Sequence, residues 1–493
     1  MNFQYNKIDS AFKAMTTRFK NHDWVITIVT AILLFIGSVV IFSTTYNSPD
    51  QSADTMPKQL IFVIVGMIVY FLLSILEFSW LKARTILAAF YILVLALLFY
   101  VKFFGTAIAS TNRWIDIGFF SLQPSEYAKL VLIMVTAAIF TLNDKVIDNK
   151  LVFFHSAEGE SEGRTPALQG IKAKVLKYAI SAALALPYIL LTLIQPSLGN
   201  AVILGIIWLM MLFILFPKQR QLVSFIVLAT ITMIIALIFL NPQLQGNVLE
   251  LNTVIDTPGI IAMLMLAISF VVIFIAARFK LLFLIIFPLL TVFLLGMTYF
   301  SWNKLLTNYQ KDRLVTFMQG PESDPLGTGY QVRQSMIAIG SGRFWGRGFL
   351  QGTQSNLNVL TQAQTDFIFA SLSEQFGFVG AIIVLSLYIL LILRILKTGL
   401  ESHDDYATAI CVGIAILLLI HVFINVGMNL GKLPVTGIPL PLLSYGGSSV
   451  FLTLISLGIV QSISGSKRAV DISDTLMLRS QDRPFDRLRS RIK

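Results

Sequence analysis

The sequence predicts an all-α, polytopic membrane protein of about twelve spanning helices with one large extracytoplasmic loop. Three observations lead there. Of the 493 residues, 56% are hydrophobic and only 13% charged, about half the charged share of a soluble globular protein. Apolar runs of spanning length recur along most of the chain. The short segments between them alternate between basic and non-basic.

A helix needs about 20 mostly apolar residues to cross the hydrocarbon core. In lipid the backbone must satisfy its own hydrogen bonds, so runs this long cross as helices. They fall at Trp24–Ser43, Gln59–Leu76, Thr85–Val101, Pro124–Leu142, Tyr178–Gln195, Gly199–Phe216, Leu222–Leu240, Ile260–Ala277, Leu281–Phe300, Asp366–Leu393, Tyr406–Met428 and Leu440–Ser464. Residues 1–23 form a polar cytoplasmic segment, with no cleavable signal evident ahead of the first run. One multi-helix membrane domain fills 24–464, and 465–493 is a basic cytoplasmic tail.

Lys and Arg set the orientation. With the N-terminus inside, 26 of the 37 basic residues fall in inside segments and 10 outside, six of the latter in the single loop 301–365. Every short inside loop is basic, as the positive-inside rule requires. The net charge of +11 therefore reports loops beside anionic lipid. It does not point to nucleic acid. The single cysteine, Cys411, excludes a disulfide framework or a cysteine-built metal site. There is no P-loop, no HExxH and no nucleophile elbow.

The outer loop 301–365 is long and rich in Gly, Gln, Ser, Arg and aromatics, a composition that usually carries function. Ionisable residues inside spans are functional candidates by default. Glu126 and Lys129, three apart, share a helix face and can pair; they either brace helices or serve the site. Asp366 opens its helix from outside, as a cap complementing the helix dipole or as a general base at an outward cavity. Glu374, two turns deeper, and His421 read first as polar contacts between helices.

Several polar segments together resemble one family. They are Asn112-Arg113-Trp114-Ile115-Asp116-Ile117-Gly118, Gln123-Pro124-Ser125-Glu126-Tyr127-Ala128-Lys129, Tyr330-Gln331 with Gln334-Ser335, Ala338-Ile339-Gly340-Ser341-Gly342 with Gly346-Arg347-Gly348-Phe349, Thr365-Asp366-Phe367-Ile368-Phe369-Ala370, and Gly437-Ile438-Pro439-Leu440-Pro441 with Ser444-Tyr445-Gly446-Gly447-Ser448-Ser449. In this order they are similar to the signatures of the SEDS proteins (shape, elongation, division and sporulation). Asp324-Pro325-Leu326-Gly327 and Gly352-Thr353-Gln354-Ser355 resemble the rod-shape branch, RodA, rather than the division branch, FtsW.

That resemblance implies a peptidoglycan glycosyltransferase polymerising lipid II at the outer face of the cytoplasmic (inner) membrane, for elongation and rod shape. The strand on undecaprenyl diphosphate would be the donor, and the 4-hydroxyl of lipid II the attacking group. The family's essential acid maps onto Asp366. Glu126, Lys129, Arg113, Arg333, Arg343, Arg347, Gln334, Ser335 and Glu374 would line the cavity or bind substrate. Loop arginines, Arg313 among them, suit a diphosphate, or are solvated charges. A divalent cation, Mg or Mn, would offset leaving-group charge, although no ligand cluster marks its site. The implied partner is a class B penicillin-binding protein, the crosslinking transpeptidase. The family core has about ten helices, so residues 222–277 look like an inserted pair. Three departures remove negative charge: Ser197, Thr361-Gln362 and Gln375 stand where the family has acids. A lipid-precursor flippase and a non-catalytic cell-wall scaffold are the alternatives.

Overall fold

The computed structural model describes residues 22–46, 49–108, 111–116, 118, 121–141, 166–195, 197–215, 308–324, 327–355, 359–360, 362–402 and 404–466. Among them are the helices α1 (Trp24–Thr45), α2 (Pro49–Ile75), α3 (Arg84–Phe104), α4 (Pro124–Thr141), α5 (Pro166–Ile194), α6 (Leu198–Leu215), α7 (Asn308–Gln319), α8 (Thr328–Gly342), α9 (Ile368–Glu401), α10 (Asp405–Asn429) and α11 (Gly447–Gly465). Nine of these are long and apolar enough to span a membrane; α7 and α8 are not. The chain is a multi-pass membrane protein. The expected spans Leu222–Leu240, Ile260–Ala277 and Leu281–Phe300 lie outside the described residues. So do residues 1–21, the 143–165 part of an inside loop, and nearly all of the basic tail.

Burial sorts the spans. In α4, α10 and α11, 78%, 78% and 89% of the span is buried, against 22% in α3 and 28% in α2 and α5. A helix hidden on all sides can hold polar residues only where they are paired. Among the described residues, the three central helices carry buried polar groups such as Glu126, Lys129, His421, Asn425 and Gln461, and the least buried spans show apolar faces to lipid.

The N-terminal end of the bundle is latched by Asp23. Its Oδ1 caps α1 by accepting from Val25 N (3.1 Å) and Ile26 N (3.4 Å), and its Oδ2 pairs with Arg394 Nε of α9 at 2.8 Å. Gln461 of α11 grips the same residue, accepting from Asp23 N and donating to Asp23 O.

Three segments show structure that the apolar runs alone do not. In the described part of the loop 301–365, α7, a 3-10 turn at Pro321–Ser323 and α8 occupy most of the residues. The outer segment before α4 adds a three-stranded antiparallel sheet, β1 (Thr106–Ile108), β2 (Thr111–Asp116) and β3 (Ser121–Leu122). The last span begins at Gly447, not Leu440. Pro439 and Pro441 lack donors, and Leu442 (φ 68) and Gly446 (φ 153) are non-helical, so residues 431–446 remain a shaped loop.

Candidate active site

Asp366 lies at one mouth of the bundle, in the turn that leads into α9. The cap expectation fails for it. Phe367 occupies the N-cap position without a side-chain cap. The first-turn amide of Ala370 instead donates to Asn429 Oδ1 of α10 at 3.1 Å. The Asp366 carboxylate makes no hydrogen bond to any described residue, and it is left for other work.

The backbone of Asp366 is fixed instead. Its carbonyl accepts from Asn425 Nδ2 (2.9 Å) and Asn429 Nδ2 (3.0 Å). Asn425 Nδ2 also reaches Ile438 O at 2.8 Å, which ties the α9 entry to the loop before α11. Ser444 Oγ donates to Thr365 O (2.6 Å) and Tyr445 N to Gln364 O (2.8 Å). Ser335 of α8 donates to Asn429 O at 2.9 Å and lies 3.3 Å from Asn429 Oδ1. A non-helical entry to a helix is thereby held from three sides.

Two arginines set the electrostatics. Burial raises the Asp366 pKa and outweighs the opposing pull of Arg313 and Arg113, which leaves it at about 6. Arg313, in α7, donates from Nη1 to Val435 O at 3.0 Å. Arg113, on β2, donates from Nε to Gln195 O at 3.3 Å. Gly437 (φ 70) sits where the groups converge: a Cβ added there would be 3.5 Å from Asp366 Oδ2 and 3.6 Å from Arg313 Nη1. A carboxylate that titrates near neutrality, flanked by two guanidinium groups, can accept a proton while the cations face an anionic group.

Below the mouth lies the second cluster. Lys129 Nζ donates to Glu126 Oε1 at 2.7 Å, both side chains being buried. It also lies 3.0 Å from His421 Nε2, whose Nδ1 contacts Leu417 O at 2.7 Å. Nδ1 therefore carries the ring proton and Nε2 accepts from Lys129. The α4 entry is pinned to α11, Gln123 N donating to Ser448 Oγ at 2.9 Å, and to α6 through Asn200 Nδ2 and Ser125 Oγ (3.0 Å). His421, Asn425 and Asn429 are spaced by four along one face of α10. The two clusters are successive turns of one polar stripe.

Other candidates go elsewhere. Glu374 is fully buried, and its carboxylate accepts from the backbone amides of Thr353 (2.7 Å), Gln354 (2.9 Å) and Ser355 (3.0 Å) and the hydroxyls of Thr353 (3.1 Å) and Ser355 (2.7 Å). It organises the Gly352–Ser355 turn. Arg343 and Arg347 have exposed side chains and dock by backbone against Glu374–Phe378. Arg333 is exposed on α8 and Gln334 half-buried. None of Arg333, Arg343 and Arg347 contributes to the field at Asp366. Of the departures, Gln375 accepts from Ser43 Oγ at 2.6 Å, Ser197 is buried at the α6 entry, Gln362 is exposed in the turn before Asp366, and Thr361 lies outside the described residues. No group of three His, Cys, Asp or Glu among the described residues is arranged to hold a metal. A cation at the mouth would have Asp366 as its protein ligand and would rely on substrate oxygens for the rest.

Sequence reasoning passed over Asn425 and Asn429. Their signal was present as polar residues at helical spacing in an otherwise apolar span, in register with His421.

Comparison with known proteins agrees with this architecture. The family model FtsW/RodA/SpoVE, described as a cell cycle protein, matches residues 23–258 and 249–469. The chain is 33% identical over 461 residues to the peptidoglycan glycosyltransferase RodA of Treponema pallidum, covering 90% of this chain and 97% of that protein. It is 46% identical over 172 residues to the peptidoglycan glycosyltransferase MrdB of Escherichia coli K12, covering 35% of this chain and 46% of that one. Among solved structures, a peptidoglycan synthase complex coordinating polymerization and crosslinking superposes with a TM-score of 0.58 at 24% identity, covering 91% of this chain and 99% of that chain. The rod shape determining protein RodA of Thermus thermophilus gives 0.51 at 23%, covering 90% and 97%. These two likenesses concern the fold.

Proposed function

The chain belongs to the FtsW/RodA/SpoVE family, and on that premise we propose that it is a peptidoglycan glycosyltransferase that polymerises lipid II for cell elongation, with Asp366 as its general base. The supporting observation is the uncapped Asp366 carboxylate, its pKa raised to about 6 and its backbone held by Asn425 and Asn429.

The acceptor's 4-hydroxyl gives its proton to Asp366 as its oxygen bonds to the donor's anomeric carbon. The bond from that carbon to the diphosphate oxygen breaks, and undecaprenyl diphosphate leaves with the electron pair. Configuration inverts. Arg313 and Arg113 face the charge that builds on the leaving group, and the planar guanidinium suits phosphate oxygens. A base pushed to about 6 is ionised at neutral pH, yet basic enough to share a proton in the transition state. Loop charge supports N-terminus-in insertion in the cytoplasmic membrane, with this mouth outside. The two stretches matched by the family model overlap at 249–258, within the 222–277 segment that the sequence sets apart as an insertion.

The test is polymerisation of lipid II by the purified chain with a class B penicillin-binding protein, the partner expected to crosslink the product. Asp366→Ala and Asp366→Asn should lower glycan synthesis at least about 100-fold while lipid II binding persists. Equal glycan chains from wild type and Asp366→Asn would end the base assignment. Lipid II translocation without polymerisation would favour a flippase.

A further inference from the structure

The turn Arg343–Phe349 presents aromatic side chains to the outside: Trp345 is 76% exposed and Phe344 54%. Its mount is rigid. Phe378 N donates to Arg343 O (2.9 Å), Val379 N to Phe344 O (3.2 Å), Arg347 N to Glu374 O (2.9 Å) and Gly348 N to Gln375 O (3.0 Å). These bonds use the break in α9 at Gly377 (φ 66). Gly346 (φ 85) approaches the same break so closely that a Cβ on it would lie 2.1 Å from Gln375 O. The Phe344 ring stands 5.1 Å from Trp345 and 5.9 Å from Phe378. The exposure is built in by the fold.

Two cross-links give the depth of this turn. Asp23 meets Arg394 at the cytoplasmic end, and Ser43 meets Gln375 at the other. Asp23 to Ser43 is about 30 Å of helix, and Gln375 to Arg394 about 29 Å, at 1.5 Å per residue. Both equal about one hydrocarbon thickness, roughly 30 Å. The turn docked on Glu374–Val379 therefore lies at the outer boundary of the hydrocarbon. Below it, Phe378, Ile382, Ile389 and Leu393 are exposed along one face of α9. Trp345 and Phe344 top that lipid-facing stripe, where amphipathic rings concentrate. Arg343 and Arg347 flank them at phosphate height, both exposed.

We propose that the Arg343–Phe349 turn is an anchor for anionic phospholipid in the outer leaflet, with Phe344 and Trp345 in the interface and Arg343 and Arg347 on headgroup phosphates. It fixes the folded outer segment, and so the mouth beside it, at a set height over the bilayer. Nothing in this depends on the reaction assigned above, so either can fail alone.

Cys411 is the chain's one cysteine and is buried, so a fluorophore on Trp345→Cys in the full-length chain reports a single site. The chain is placed, without partner, in vesicles carrying phosphatidylglycerol or phosphatidylcholine nitroxide-labelled near the headgroup. Ile389→Cys and Glu322→Cys give the lipid and water references. Quenching at 345 should exceed that at 322 and be shallower than at 389. The anionic lipid should be enriched by up to about fivefold per arginine, and Arg343→Gln/Arg347→Gln, checked for an unchanged melting temperature, should abolish the preference. Water-like quenching at 345 overturns the proposal. So does protection that appears only when the partner protein is added, which would make the turn a protein interface, or an anionic preference that survives loss of both arginines.

Discussion

Replacing Lys129 with methionine tests what the buried pair does. Lys129 is wholly buried and donates to Glu126 Oε1 at 2.7 Å. Glu126 Oε2 has no hydrogen-bond partner among the described residues, so the carboxylate depends on Lys129 for its counter-charge. Removing one member of a buried pair costs about 3–5 kcal/mol. A second route gives the same size. The stranded carboxylate can escape by taking up a proton, and protonating an ordinary glutamate (reference pKa about 4.3) at pH 7 costs about 3.7 kcal/mol. Losing the contact with His421 adds little, since an interhelical hydrogen bond in a membrane averages about 0.6 kcal/mol. Lys129→Met should therefore lose about 3–4 kcal/mol in reversible unfolding by SDS in mixed micelles. The deficit should shrink by about 1.4 kcal/mol for each pH unit of acidification. Glu126→Gln/Lys129→Met should recover most of it, because both charges then leave the interior. A single variant as stable as wild type, or a double variant no better than the single, would refute this account. Glycan synthesis by the folded double variant then separates bracing from chemistry.

Three further outcomes follow from the same geometry. Glycan synthesis should fall about tenfold per pH unit below about 6, because the base must be ionised; Arg313→Gln removes a charge that lowers the Asp366 pKa, so the acid limb should move to higher pH, and a limb that stays put would exonerate Arg313. Gly437→Ala places a methyl group 3.5 Å from Asp366 Oδ2 at a φ of 70; it should cost about 1–2 kcal/mol of stability and at least about tenfold in glycan synthesis, read in the same two assays. Glu374→Ala strands three amides and two hydroxyls, each lost charge-assisted bond being worth about 1.5–3 kcal/mol; hydrogen exchange of the 353–355 amides should accelerate sharply while exchange around Asp366 changes little.

Helices were legible because a bilayer demands length and apolarity together, which few other structures need. Each of the nine described spans corresponds to an apolar run. Their ends were less legible. α9 runs to Glu401 and α2 starts at Pro49, since helices continue into water once the apolar run ends. Leu440 to Tyr445 read as span because it is apolar, but the prolines and a left-handed Leu442 keep it a loop. At the candidate site, Asp366 was singled out by its motif. The Glu374 cradle was not, because three of its five donors are backbone amides, which leave no mark in sequence. Which loop arginines meet Asp366 was equally hidden. Arg313 and Arg113 differ from Arg343 and Arg347 in where the fold carries them, and not in local pattern.

The arrangement around Asp366 also bears on how the proposed base is held in the most irregular part of the bundle. An acid used as a helix cap would be spent on backbone amides, and those bonds would hold it ionised and weakly basic. Here Asn429, from a neighbouring helix, supplies the acceptor for Ala370 N, and two asparagine amides hold the Asp366 carbonyl. Neutral side chains position the residue without adding charge beside its carboxylate. Its pKa is then set by burial against two arginines, the balance that leaves it near 6. Asn429→Ala should separate the two roles: α9 loses its borrowed acceptor, the Asp366 turn loosens, and glycan synthesis falls while the acid limb stays near pH 6. A limb displaced by more than about one unit would mean that Asn429 tunes the charge of Asp366 as well as its position.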